Sequence, residues 1–384
     1  MSSGKGFNKQ DFSRNAFMLD GSFSRRGYDW WWHSFTATDE VTGESKPFFI
    51  EFFICNPSLG GEKAVLGQLK TNKENGVKPS YLMVKAGCWG NGKVQLHRFF
   101  ALNDVRIKDG VPYEVEAGDC FASEFALRGS VEVSSEDSSN HPEYMCDSGS
   151  MSWDLKLDKK VAYNVGYGAG KLFRDVKAFE MYWHAQGMKT LYEGVVVLNG
   201  RRFIVTREGS YGYADKNWGR GFTSPWVWLS SNNLRSKLTG KKLEDSVFDI
   251  GGGRPKVFCF ALNRQLLSAF WYEGKPYEFN FSKFWAGVKT EFSCEETDEL
   301  IKWHVKQENR RNVMETDVVC RKADMLLVNY EEPDGQKRHN RLWNGGNGTG
   351  EVKLYEKTRD GLSLIDDIEA LNIGCEYGEF GSGS

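Results

Sequence analysis

The chain of 384 residues lacks any apolar run near the ~20 residues that a membrane-spanning helix needs. Its charge is almost balanced, at net −2 with 50 Lys and Arg against 52 Asp and Glu, so the basic surface typical of nucleic-acid binding is missing. Residues 1–10 contain no apolar core of the kind that a secretory signal requires. We therefore expect no nucleic-acid partner, no integral membrane segment and a cytoplasmic location.

Cofactor motifs are also scarce. The eight cysteines are scattered without a C-x-x-C pair, and the six His lie far apart in the sequence, which disfavours a disulfide framework and a metal site. Residues 251–254 are glycine-rich but lack the Lys-Ser/Thr of a phosphate loop, and residues 207–212 resemble a nucleophile elbow only superficially. The sequence predicts no metal, no other cofactor, and reduced, mostly buried cysteines.

Aromatic residues and glycine are abundant: 14% of the residues are aromatic, 13 of them Trp, and 42 are Gly. Apolar and polar residues alternate between Gly, Asn and Asp turns over most of the chain, and residues 363–371 are the best candidate for a short helix. Many short strands without a strand–helix–strand rhythm favour barrels or sandwiches. We predict an all-β fold with few short helices, divided into domains 1–222 and 223–384.

The Asn199-Gly200 dipeptide is a strong hairpin signal. A two-residue turn pairs residues 191–198 with residues 201–208 and places Leu198 opposite Arg201. In this register Glu193 and Glu208 lie diagonally on one face. Glu208 can also form an ion pair with Lys216.

Glu51 is a lone carboxylate in the run Phe-Phe-Ile-Glu-Phe-Phe-Ile-Cys at residues 48–55. In a strand it shares one face with Phe49 and Phe53, and burial there would raise its pKa enough to make it a general acid near neutral pH. The alternative is a carboxylate that pairs with an Arg or faces solvent.

Two histidines follow aromatic residues. His184 comes after Tyr182-Trp183, and His33 comes after three consecutive Trp at 30–32, of which Trp31 should share its face. Histidine is well suited to proton transfer at neutral pH. A hydrogen-bonded core role is the alternative for both.

The most unusual segment is residues 211–229, Tyr-Gly-Tyr-Ala-Asp-Lys-Asn-Trp-Gly-Arg-Gly-Phe-Thr-Ser-Pro-Trp-Val-Trp-Leu. Lys216, Asn217 and Trp218 fit neither an alternating strand nor a simple turn, and the glycines around them allow sharp turns or close approach. We expect a fixed loop that presents Lys216 and Asn217 as hydrogen-bond donors able to polarise a substrate oxygen. Trp218 is expected in a pocket wall, or else as a plug that packs two barrels together.

Residues 214–232 resemble the tocopherol cyclase-like family, in which an acidic residue, Lys-Asn-Trp-Gly, a glycine-phenylalanine and Trp-x-Trp occur in this order. Residues 182–184, the hairpin at 193–208 and, more loosely, the aromatic block at 28–51 are also similar, so the resemblance covers about residues 20–235. It implies two lipocalin-like antiparallel β-barrels or half-barrels packed together, with an apolar pocket at their junction. It also implies cyclisation, hydration or pericyclic chemistry on hydrophobic substrates without a metal or redox cofactor.

The residues and the resemblance together predict a cofactor-independent cyclase, isomerase or hydratase. It would act by acid–base catalysis on a hydrophobic small molecule such as an isoprenoid, a quinone or a polyphenol. The expected catalytic residues are Glu51, His184, Lys216 and Asn217, and the expected substrate-binding residues are Trp32, His33, Trp183, Glu208, Tyr213, Asp215, Trp218 and Trp226.

Two other functions fit the same sequence. A non-catalytic lipocalin-like carrier would have an apolar cavity without a titratable pair, whereas an enzyme would place Glu51 or His184 within reach of Lys216. A carbohydrate-active sandwich would need two facing carboxylates in an open cleft, for which Glu193 and Glu208 are the nearest pair.

Overall fold

The computed structural model describes residues 9–108, 110–163, 180–253, 256–257, 260–261, 265–281, 283–337 and 339–380. This part of the chain is almost entirely β-structure, as predicted. Its α-helices are short: α1 (Lys9–Asn15), α2 (Lys70–Glu74) and α3 (Ser135–Asn140). Short 3-10 helices cover Gly21–Ser24, Leu102–Asp104, Pro142–Tyr144, Phe284–Ala286 and Lys322–Asp324. None of the helices in these ranges has the length and apolar character needed to cross a lipid bilayer.

The first sheet contains twelve antiparallel strands. They are β1 (Tyr28–Asp39), β2 (Ser45–Cys55), β3 (Tyr81–Cys88), β4 (Val94–Phe100), β5 (Val105–Ile107), β6 (Glu114–Ala117), β7 (Cys120–Ser123), β8 (Ala126–Val133), β9 (Gly149–Tyr163), β10 (Met181–Leu198), β11 (Arg201–Val205) and β12 (Gly212–Gly219). The order is β4-β3-β2-β1-β11-β10-β9-β8-β7-β6-β5, and β12 pairs with both β1 and β10. The sheet curls into a barrel because β4 packs against β8 and β9.

The second half contains thirteen strands. They are β13 (Trp226–Ser231), β14 (Asn233–Ser236), β15 (Val247–Gly253), β16 (Lys256–Val257), β17 (Phe260–Ala261), β18 (Gln265–Tyr272), β19 (Lys275–Phe279), β20 (Lys289–Glu296), β21 (Leu300–Glu308), β22 (Asn312–Arg321), β23 (Leu326–Val328), β24 (His339–Thr358) and β25 (Gly361–Phe380). Strands β16 and β17 form a separate pair. The others form a half-barrel in the order β19-β18-β15-β13-β25-β24-β22-β21-β20, with β14 beside β25 and β23 beside β24.

The strands confirm one local prediction from the sequence and contradict another. The Asn199-Gly200 hairpin is confirmed, with Leu198 opposite Arg201, but β11 ends at Val205, so the ladder does not continue to residue 208. The helix predicted at 363–371 is wrong, because this stretch lies within β25 and pairs with β24. From Asp366 to Ala370 burial alternates residue by residue, which is the period of a strand.

Buried apolar residues form three clusters. One fills the first barrel, one lines the second sheet, and the third joins them with side chains from both sheets. Strand β1 serves two of these clusters because its side chains alternate: Trp31 points into the barrel, whereas Trp30 and Trp32 face the second sheet. We call this third cluster the junction. The domain boundary after residue 222 stays a prediction.

Candidate active site

The unusual segment around Lys216 is a strand and not a fixed loop, which corrects the prediction. All eight residues of β12 are buried, and the strand lies between β1 and β10. A strand buried on both faces shows no alternation of polar and apolar residues, so its sequence does not resemble a strand. Its side chains nevertheless alternate in space, with Tyr213 in the junction and Trp218 in the barrel.

A row of polar residues crosses the junction face of the first sheet. The strand registers place Asp215 opposite Trp32, Trp32 opposite Glu51, and Glu51 opposite Lys85. Lys85 is in turn opposite His97 on β4. Directly opposed residues share a face of an antiparallel sheet, so this row brings two acids, a cation and an imidazole to the junction.

Glu51 is buried at the centre of this row. Its Oε2 accepts a hydrogen bond of 3.1 Å from the Tyr330 hydroxyl, and the Lys85 Nζ lies 4.0 Å away. Its Oε1 has no hydrogen-bond partner among the described residues. Burial raises the pKa of Glu51 to about 7, against the lowering effects of Lys85 and Tyr330, so the side chain can hold a proton at neutral pH.

Asp215 is held by two indoles. The Trp30 Nε1 donates to Oδ1 and the Trp183 Nε1 donates to Oδ2, each at 3.0 Å. Burial raises the pKa of Asp215 to about 8 even though both indole hydrogen bonds favour the charged form. Most Asp215 side chains are therefore protonated at pH 7.

The second sheet adds two further buried carboxyl groups to the junction, and tryptophan again supplies the donors. The Trp228 Nε1 donates to Asp249 at 3.1 Å, and the Trp226 Nε1 donates to Glu376 at 2.5 Å. Burial raises the pKa of both carboxyl groups. The junction therefore concentrates proton-binding groups within aromatic surroundings.

Lys216 lies on the opposite face of the sheet from Glu51, so the structure does not bring these two residues together. Its ammonium forms a buried ion pair with Asp29 and lies 4.0 Å from the centre of the Trp31 ring. Burial lowers the pKa of Lys216 and the Asp29 charge raises it. Trp218 packs beside it in the barrel core, stacked on Tyr182 at 5.4 Å, and is not a plug between the two sheets.

His184 does lie opposite Lys216, but it is neutral. Burial lowers its pKa to about 3, and its Nδ1 lies 3.2 Å from the Tyr163 carbonyl oxygen, to which it must donate. Its Nε2 therefore carries a lone pair, which does not suit the proton-donor role predicted for it. His33 is likewise buried with a lowered pKa, and its Nδ1 contacts the Tyr192 hydroxyl at 2.9 Å.

Most of the other predicted residues lie at the junction. Asn217 shares a face with Asp215, its Oδ1 accepts from the Tyr28 hydroxyl at 2.7 Å, and its Nδ2 has no partner among the described residues. Trp32, Trp183, Tyr213 and Trp226 belong to the junction cluster. Glu208 does not join them, because it lies exposed on the turn after β11. Glu193 is also exposed.

Sequence reasoning missed Lys85, His97, Tyr330 and Glu376. Lys85 could have been found, since it is a lone charge in the apolar run of β3, as Glu51 is in β2. Tyr330 and Glu376 reach the site only through the packing of the second sheet on the first. Within the described ranges, no three His, Cys, Asp or Glu side chains come together as metal ligands would.

The fold and site define a class: an antiparallel double-sheet protein with protonatable acids in an aromatic junction. The family model described as tocopherol cyclase-like matches residues 136–379, more than half of the chain, so the chain belongs to this family. The match confirms the predicted resemblance but differs in span, because it includes the second sheet and omits residues before 136.

Individual relatives are more distant. The Oryza sativa subsp. japonica protein named "Probable tocopherol cyclase, chloroplastic" is 32% identical over 101 residues, which cover 26% of this chain and only 20% of that protein. Kievitone hydratase from Nectria haematococca is 11% identical with a TM-score of 0.46, over 99% of this chain and 98% of that one. The structure of CghA with Sch210972 is 11% identical in sequence with a TM-score of 0.46, over 98% of this chain and 97% of that one. At this distance neither structure identifies a function for this chain.

Proposed function

We propose that this protein is a cofactor-independent cyclase, hydratase or isomerase that protonates a hydrophobic small molecule at the junction of its two sheets. The observation that carries the proposal is the pair of buried acids Glu51 and Asp215, on one face and separated by Trp32. Membership of the tocopherol cyclase-like family supports the same class of chemistry.

The junction offers the conditions that such a reaction needs. A carboxyl group that stays protonated near neutral pH can donate its proton to an alkene or a carbonyl oxygen. The faces of Trp30, Trp32 and Phe222 can attract the positive charge that then develops on carbon. Water is largely excluded there, so the cationic intermediate is protected until ring closure or addition occurs.

Asn217 supplies a second function in this proposal. Its unpartnered Nδ2 lies on the face of Asp215, two residues along β12, and two residues along a strand are about 7 Å apart. An amide donor at this distance can orient a substrate oxygen while Asp215 protonates a neighbouring atom. Lys216 and His184 lie behind the sheet, and we assign them a supporting role through the packing of β12.

The test begins with native mass spectrometry of gently purified protein, followed by solvent extraction and identification of any bound molecule. We then expect the wild type to convert that molecule or its close analogues, and Asp215→Asn or Glu51→Gln to bind it without converting it. Glu208→Gln is the matched control, since it changes an exposed carboxylate and should leave conversion unaltered. A ligand that the wild type binds but never converts would overturn catalysis in favour of the carrier function.

A further inference from the structure

A short segment of the second half covers the proposed acid Glu51. It comprises residues 329–337, which lie between β23 and β24 and outside the helices and strands, and we call it the strap. The Tyr330 hydroxyl of the strap donates to Glu51 at 3.1 Å. The Tyr330 ring lies 5.3 to 5.9 Å, centre to centre, from the rings of Trp30, Phe53 and Phe222. Tyr330 therefore contacts both the acid and the aromatic surfaces that the proposed reaction uses.

Tyr330 also limits the free space in this part of the junction. It lines two cavities of about 20 Å³ each, one shared with Trp226 and Glu376 and the other with Tyr81 and Lys337. A space of this size holds about one water molecule, so neither cavity can receive a hydrophobic ligand. Because Tyr330 lines both cavities, a movement of its side chain would enlarge both.

The strap is attached to the first half by hydrogen bonds of side chains. Glu331 accepts from the Tyr81 hydroxyl at 3.0 Å, and the Pro333 carbonyl accepts from the Asn56 Nδ2 at 2.8 Å. Two further bonds join Gln68 to the Gly335 carbonyl and Lys337 to the Glu143 carbonyl. Bonds of this kind are exchanged for bonds with water at a small net cost, whereas a paired strand would lose a whole ladder. This attachment favours a local opening in which β2 and β3 stay folded.

The hydrogen bond from Tyr330 is compatible with a protonated Glu51. A neutral carboxyl group has one oxygen that only accepts and one that carries the proton, so Oε2 can accept from Tyr330 while Oε1 carries the proton. Oε1 has no hydrogen-bond partner among the described residues. A proton on Oε1 would thus be available to a ligand that takes the place of the Tyr330 ring.

We propose that the strap is a gate, which opens, withdraws Tyr330 from its aromatic neighbours and admits the ligand to Glu51. This inference rests on the proposed function, because it concerns access to the same site. It adds a requirement that the function alone does not make: opening precedes binding. At high ligand concentration the rate of binding is then the rate of opening.

The test follows the binding of N-phenyl-1-naphthylamine, a neutral dye that fluoresces in apolar surroundings, by stopped-flow fluorescence with the dye in excess. We expect the observed rate for the wild type to reach a plateau as the dye concentration rises. Tyr330→Phe keeps the ring but removes the bond to Glu51, and Tyr81→Phe removes the bond to Glu331. Each variant should raise the plateau by about twofold to tenfold, the effect of losing one hydrogen bond that must break before the dye enters.

Tyr272→Phe is the matched control, because the Tyr272 hydroxyl also donates to a carboxyl group, that of Asp366 at 3.0 Å, and neither residue belongs to the strap, β2 or β3. It should leave the plateau unchanged. A rate that rises linearly with dye concentration would overturn the gate and leave the proposed function standing. So would a plateau that either strap variant leaves unchanged or that the control raises equally. Dye that binds Tyr330→Ala but not the wild type would mean that Tyr330 fills the site permanently, which also overturns the gate. If neither protein binds the dye, the apolar site itself fails, and the proposed function fails with it.

Discussion

A buried carboxyl group behaves differently when its partners are indoles instead of cations. Each indole N–H stabilises the charged form through a hydrogen bond but contributes no positive charge, so desolvation dominates. This is the situation of Asp215, whose pKa is raised to about 8 although Trp30 and Trp183 both donate to it. A general acid must be in its neutral, protonated form when the substrate binds.

The raised pKa of Asp215 makes folding stability depend on pH. A group whose pKa is higher in the folded state stabilises the protein fully below its unfolded pKa, here about 4, and this contribution is lost as pH rises through about 8. We expect Asp215→Asn, which cannot ionise, to lose less stability than the wild type between pH 5 and pH 9, by more than about 1 kcal/mol. Urea unfolding at several pH values measures this difference. If the unfolding free energies of the two proteins changed equally with pH, Asp215 would be ionised over the whole range from pH 5 to pH 9.

The protonation of Glu51 and Asp215 should also control catalysis. Once a substrate is identified, kcat/KM of the wild type should fall as pH rises above about 7 to 8, because Glu51 and Asp215 lose their protons there. Asp215→Asn should lower kcat by about 10²- to 10⁴-fold, the usual contribution of a general acid, and abolish its share of the alkaline limb. An unchanged alkaline limb in both Asp215→Asn and Glu51→Gln would assign the acid to another residue.

At the scale of the element, β12 has two separate functions because its side chains alternate. Asp215 and Asn217 face the junction, whereas Lys216 faces the barrel and pairs with Asp29 of β1. The consecutive Asp-Lys-Asn-Trp of the family motif therefore does not form a single cluster. Its polar residues are distributed to two sides of one buried strand.

The ion pair between Lys216 and Asp29 gives a test of this arrangement. Lys216→Met should destabilise the protein by about 3 to 5 kcal/mol, because it leaves the Asp29 charge buried without its counter-charge. The double variant Asp29→Asn, Lys216→Met should be more stable than Lys216→Met alone, as measured by chemical denaturation. Arg202→Met breaks the exposed pair with Glu40 and serves as the control, with an expected change below about 1 kcal/mol. A similar loss in both single variants would contradict the barrel-side placement of Lys216.

The limits of sequence prediction follow from the same alternation. The apolar neighbours of Glu51 left a buried and a solvent-facing position both open, whereas the Asn199-Gly200 hairpin could be predicted because it depends on neighbouring residues. The strand β12 could not, since a strand buried on both faces loses the period-2 pattern. At residues 363–371 the mixed apolar and acidic residues suggested a helix, whereas pairing with β24 decides the structure. Tyr330, 279 residues from Glu51, reaches it only through tertiary packing.

At the scale of the whole molecule, the two sheets are joined by large side chains of the first that fit against glycines of the second. A Cβ added at Gly251 of β15 would lie 2.4 Å from the ring of Trp183, and one added at Gly346 of β24 would lie 2.4 Å from Trp89. The two tryptophan rings can pack this closely only because Gly251 and Gly346 have no side chain. They also position the site, because the Trp183 indole that packs on Gly251 is the one that donates to Asp215.

This packing predicts an energetic coupling between the sheets. Gly251→Ala should destabilise the protein by about 1 to 3 kcal/mol through overpacking against Trp183. In a Trp183→Phe background the same change should cost markedly less, because the atoms that the new Cβ meets belong to the six-membered ring of the indole, part of which Phe leaves empty.

A double-mutant cycle of unfolding free energies measures the coupling, which should exceed about 0.5 kcal/mol. Gly61→Ala is the control, since the nearest atom to its added Cβ is 3.9 Å away and little change is expected. Additive effects of the Gly251 and Trp183 changes would mean that the two sheets do not meet at these residues. Gly251 would then have no part in positioning the indole that donates to Asp215. A coupling of the expected size would instead show that the contact between the sheets also positions the donor to the acid.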